Sequence, residues 1–138
     1  MTGNLIGKRN IGIGLIAMAG FMVYGFVLIY LRDFAPDKEA WIASSHLGRH
    51  FEARLAHVHG NLFSILNIVF GYMLLKLPVG RTIARWVSWL AIAGLLMPLG
   101  IFGELYLGLP FYPVLAGALC IVTATLLLAT GVLRMRVL

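Results

Sequence analysis

Four long apolar runs divide the chain, and short polar stretches separate them. The first, about 11–31, holds 21 consecutive residues without a charge. A second runs from about 56 to 75 and is ended by Lys76 and Pro78. A third covers about 83–103 and is closed by Glu104; after Pro110, a fourth continues over about 111–133. At ~1.5 Å per residue, each is long enough to cross ~30 Å of hydrocarbon. Runs of this length without strand alternation predict helices, which satisfy their own backbone polar groups in lipid. One long loop, 32–55, and two short ones predict an all-α, four-helix, up-and-down transmembrane bundle. The whole chain, 1–138, reads as one integral membrane domain.

Composition points the same way. Hydrophobic residues make up 61% and charged residues 12% of the chain, more than a small soluble fold can hide. The first apolar run is too long for a signal-peptide core and reads as a retained span. The net charge of +6 is spread between the apolar runs, so it marks membrane flanks and no nucleic-acid partner is expected. Cys120 stands alone in an apolar run and reads as packing; neither a disulfide framework nor a nucleophile motif accompanies it.

Lysine and arginine distribution sets an expected orientation. Lys8, Arg9, Lys76, Arg81, Arg85, Arg134 and Arg136 fall on one side, against Arg32, Lys38, Arg49 and Arg54 on the other. The richer side, with both termini, is expected in the cytoplasm of a bacterial inner membrane. Trp86 and Trp89 then suit the inner interface, and Tyr30, Tyr106 and Tyr112 the outer one. All four histidines and Glu104 fall at the outer end.

The stretch "ARLAHVHGN" (53–61) places two histidines, a glycine and an asparagine where the second span begins. If 39–71 is largely helical, 100° per residue puts His46, His50, His57, Asn61 and Ser64 within about 60° of one line. His59 points almost the other way, at about 220°, so the two neighbouring histidines cannot serve one ion from the same helix. Polar groups inside lipid face a cavity or the bundle interior, which makes His57, with Asn61 and Ser64, a candidate cofactor site. Imidazole is a common ligand of iron, copper and zinc. Glu104 is a candidate carboxylate at the same depth, able to pair with Arg49 or Arg54, to orient His57, or to stand exposed. Gly60, Ser64, Asn67 and Gly71 also suit a small-residue seam with side-chain bonds across helices. His59 suits a cofactor shared with a neighbouring subunit.

Three classes follow from these residues: a haem protein with His57 as iron ligand; a copper or zinc site built from His46, His50, His57 and Glu104; and a cofactor-free subunit of a larger membrane complex. An enzymatic role, as a haem-dependent isomerase or oxidoreductase, stays open, and no catalytic residue is assigned.

The "ARLAHVHG" stretch at the start of the second helix and "ARWVSW" at the start of the third resemble the styrene oxide isomerase group of four-helix membrane proteins. That resemblance implies a homotrimeric bundle with haem b at subunit interfaces, ferric iron acting as a Lewis acid, and His57 as axial ligand. Two positions depart from the group. Phe63 stands where it has an asparagine, with Asn61 nearby; Phe102 stands where it has a tyrosine, with Tyr106 a turn further on. Both changes remove polar groups that would orient an epoxide oxygen.

Overall fold

The computed structural model of the chain describes residues 3–135, and Arg136 of the basic C-terminal tail lies outside them. Among the described residues there are six helices: α1 (Gly3–Asp33), α2 (Lys38–Ala43), α3 (Arg49–Lys76), α4 (Arg81–Gly94), α5 (Leu96–Leu107) and α6 (Tyr112–Leu133). Four helical segments are long and apolar enough to span a membrane: Leu5–Asp33, Arg49–Lys76, Arg81–Leu107 and Tyr112–Leu133. The expected all-α bundle of four spans is therefore present, and its lipid-facing positions carry exposed side chains such as Ile16, Phe26 and Leu126. Exposed leucines and phenylalanines are the normal surface of a protein whose solvent is hydrocarbon.

Two boundaries differ from the sequence expectation. The helix expected to run through the long loop is interrupted between α2 and α3, where Gly48 has φ 92° and ψ −154°. That region of backbone space is open essentially to glycine alone, so the chain turns there and α3 starts afresh. His46 lies in this turn, exposed, and leaves the helical stripe assigned to it.

The third span, Arg81–Leu107, is split between α4 and α5. Pro98 lacks the N–H that would bond Gly94, and its ring crowds that carbonyl, so α4 ends there. Leu95 N–H turns to Ile92 O instead, at 3.0 Å. The Ala91 carbonyl, which a regular helix would pair with Leu95, accepts the Asn67 side-chain amide of α3 at 2.8 Å. A break made by proline is thus closed by an asparagine on the neighbouring helix.

The α1–α3 pair is built on small residues spaced about two turns apart, the period of a close left-handed crossing. Gly7 faces Gly71, and a methyl group at Gly14 would stand 2.7 Å from the Ser64 carbonyl oxygen. Gly60 leaves room for the Phe21 ring. The seam expected at Gly60, Ser64 and Gly71 is present, and Ser64 returns its hydroxyl to the Gly60 carbonyl at 2.6 Å. On the other side of α3, Phe63, Phe70, Val87, Ala91, Ile121 and Leu128 form the apolar core with α4 and α6.

Near the end that carries the termini, a buried polar cluster ties α1, α3 and α4 together. The fully buried Asn10 amide donates to Asn67 Oδ1 and to the Ser88 carbonyl, both at 3.1 Å. The Ser88 hydroxyl bonds Asn10 Oδ1 and receives Arg9 Nη2 at 2.8 Å. Asn67 therefore bonds across helices as its position suggests.

Candidate functional site

His57 is seated by α1. Its Nδ1 lies 2.9 Å from the Phe21 carbonyl oxygen, and because a carbonyl only accepts, Nδ1 carries the hydrogen. In the neutral ring Nε2 then keeps its lone pair, and it has no partner among the described residues. Gly25 makes the seat possible: a methyl group there would stand 2.8 Å from His57 Cε1. A histidine whose Nδ1–H is anchored on a backbone carbonyl is the arrangement that orients Nε2 for a metal.

His57 forms part of the wall of an open groove of about 760 Å³ between α1 and α3, within the range of cofactor and ligand sites. From α1 the wall is apolar: Met22, Gly25, Phe26, Leu28 and Ile29, with Arg32 at its end. From α3 it is polar: His50, Arg54, His57 and Asn61. Spacings of four, three and four residues keep those four side chains on one face of α3, over about 16 Å of helix axis. Asn61 gives its amide to the His57 carbonyl at 2.9 Å, which leaves its Oδ1 as an acceptor on the groove. Arg32 pairs with Asp33 through two bonds, at 2.8 and 2.9 Å. Arg54 is exposed and makes no ion pair among the described residues.

His50 closes the groove at its loop end. Its Nδ1 donates to the Trp41 carbonyl at 2.9 Å, and its ring stacks on the Trp41 indole with centroids 4.7 Å apart. This pair clips α2 onto the start of α3. On the bundle side of His57, the phenols of Tyr24 and Tyr106 bond each other at 2.8 Å, and Tyr24 packs edge-on against Phe102.

The remaining sequence candidates fall elsewhere. His59 bonds its own helix, with Nδ1 2.9 Å from the Leu55 carbonyl, and packs against the edge of Phe63. It does not line the groove, in keeping with its opposite register. Ser64 is fully buried against α1 and belongs to the seam. Glu104 is exposed and pairs with none of Arg49, Arg54 and His57. His46 is exposed in the turn, and among the described residues no three of His, Cys, Asp and Glu converge to hold a metal ion. The His46–His50–His57–Glu104 set is thus not gathered.

Four features of the groove went unassigned in the sequence. Arg32 and Arg54 read as membrane flanks, although their place at the ends of helices that meet was available. Gly25 and the Phe21 carbonyl have no sequence signal, because nothing in a uniform apolar run tells which glycine faces a histidine 32 residues away. Comparison with protein-family models, with curated proteins and with solved structures gives no match.

Proposed function

We propose that the protein is a membrane haem b protein in which Nε2 of His57 holds the iron along the α1–α3 groove. The observation that carries this reading is the Nδ1–H bond from His57 to the Phe21 carbonyl, which fixes the ring and leaves Nε2 free beside a groove of cofactor size. The rest of the lining fits the same group. Met22, Phe26, Leu28 and Ile29 supply an apolar bed for a macrocycle, and Arg54, which makes no ion pair among the described residues, supplies positive charge for a carboxylate. A free metal ion finds a poorer set there, with two histidines spread along one helix and no carboxylate.

The groove favours iron with one protein ligand. His50 lies seven residues from His57 on the same face of α3, about 10.5 Å along the axis, so it stands beside the ligand and not opposite it. His59 turns away on its own helix. Iron held on one side by a histidine offers an open position to a small oxygen-bearing or diatomic ligand. Asn61 Oδ1 and His50 are the polar groups that would orient such a ligand. Phe63 is buried in the core and Phe102 packs on Tyr24, so neither position offers a polar group for epoxide isomerisation. Small-ligand binding is therefore the activity proposed. Met22 and Phe26, which are 56% and 70% exposed along the groove, are the surface a second copy of the chain would cover in a homo-oligomer.

The test is a combined absorption and elemental analysis of the protein purified in mild detergent from cells able to make haem. The reading predicts a Soret band and iron in equal amount to haem. Copper or zinc without a Soret band would replace it with a metal-ion site. A colourless, metal-free preparation that co-purifies with a larger membrane complex would replace it with an accessory role.

A further inference from the structure

The chain's acidic side chains are confined to one end. Asp33, Asp37, Glu39, Glu52 and Glu104 include every acid in the sequence, and all lie at the end that carries the groove. The other end holds Lys8, Arg9, Lys76, Arg81, Arg85 and Arg134 among the described residues, with no carboxylate to answer them. There the first two turns of α4 present a second groove, of about 340 Å³, lined by Thr82, Arg85, Trp86 and Trp89. Both indoles are largely exposed. The Arg9 guanidinium lies over the Trp89 ring, 3.9 Å from its centroid. Arg9 gives one bond to Ser88, while its Nε is buried without a partner among the described residues.

We propose that this groove binds the phosphate of an anionic phospholipid headgroup. The Arg9 guanidinium, bonded to Ser88 and lying over the Trp89 ring, stands behind the lining and fixes the indole that forms its wall. Arg85, exposed in the lining, supplies the guanidinium for the phosphate and Thr82 a hydroxyl. Trp86 and Trp89 place the groove at headgroup depth, since indoles settle where hydrocarbon meets water. The ligand chemistry is a phosphate monoanion, which a lipid phosphodiester and free phosphate share. The membrane-facing indoles favour the lipid.

Brominated lipids that quench tryptophan give the test. Trp41→Phe removes the indole at the far end, leaving Trp86 and Trp89 as reporters in phosphatidylcholine vesicles. Quenching by brominated phosphatidylglycerol should exceed that by brominated phosphatidylcholine about fivefold in relative affinity, the worth of roughly one close arginine. Arg85→Gln should bring the ratio close to one. Lys76→Gln, of equal charge at the same end but outside the groove, should leave it unchanged. Equal loss in Lys76→Gln and Arg85→Gln, or no preference in the parent protein, would overturn the proposal by leaving only general surface charge. Displacement of the anionic lipid by millimolar inorganic phosphate would overturn the lipid source in favour of a free-anion site; failure to displace supports the lipid. Arg85 is exposed and outside the buried cluster, so its variant tests the groove without disturbing the fold.

Discussion

Asn67 joins three helices, and its replacement by alanine measures what holds the split third span in place. Its amide donates to the Ala91 carbonyl at 2.8 Å and to its own Phe63 carbonyl at 3.0 Å, while its Oδ1 accepts from Asn10 at 3.1 Å. The Phe63 carbonyl also belongs to the α3 ladder and loses little. The other two bonds cross between helices, and each is worth about 0.6 kcal/mol on average in a bilayer protein, rising to about 1.7 kcal/mol. Together they contribute about 1–3 kcal/mol. The Leu95 N–H that a regular helix would bring to the Ala91 carbonyl bonds Ile92 instead, so this bond belongs near the upper figure. Reversible unfolding in mixed detergent and denaturant micelles reads the change, and a double-mutant cycle with Asn10→Ala isolates the shared bond. The cycle should return a coupling of about 0.6–1.7 kcal/mol. A single-variant loss below about 0.5 kcal/mol, within the range of neutral surface changes, would refute the claim that Asn67 repairs the break.

Gly25→Val should displace the His57 ring, costing about 1–3 kcal/mol through overpacking and most of the bound haem; retention of haem at the parent level, measured by absorption, would show that the ring is seated otherwise. Gly60→Val drives a side chain into the Phe21 ring and should cost about as much in the same unfolding assay, loosening the α1–α3 seam. Truncation of Tyr24 and Tyr106 to phenylalanine, singly and together, should show a coupling of about 0.6 kcal/mol from their shared bond, with haem content unchanged. His50→Ala should retain haem and free α2 from α3, seen as faster proteolysis within 34–48; loss of haem in this variant would make His50 a ligand.

The fold was readable in the sequence because a bilayer demands it: long uncharged runs admit few structures other than spanning helices. Separation of His57 from His59 was equally readable, since helical periodicity needs only that the segment be helical, and α3 is. Reach failed where conformation depends on single residues. The helix assumed through 39–71 breaks at Gly48, whose backbone only glycine adopts, and His46 leaves the stripe with it. Pro98 was a visible signal for the break in the third span, yet its remedy, an amide from Asn67, depends on how two helices are rotated against each other. Asn10 lay just outside the first apolar run and drew no reading, although it is fully buried among three helices. Glu104 shared a depth with the histidines but not a face, and depth is all that span counting supplies.

The central claim is that His57 Nε2 is an iron ligand, and ligand replacement tests it most directly. His57→Gly, purified with and without imidazole, should lose the Soret band and regain it when imidazole occupies the vacated space, while His59→Gly keeps the parent spectrum throughout. A His57→Gly protein that folds and shows the parent haem spectrum without imidazole would contradict the account.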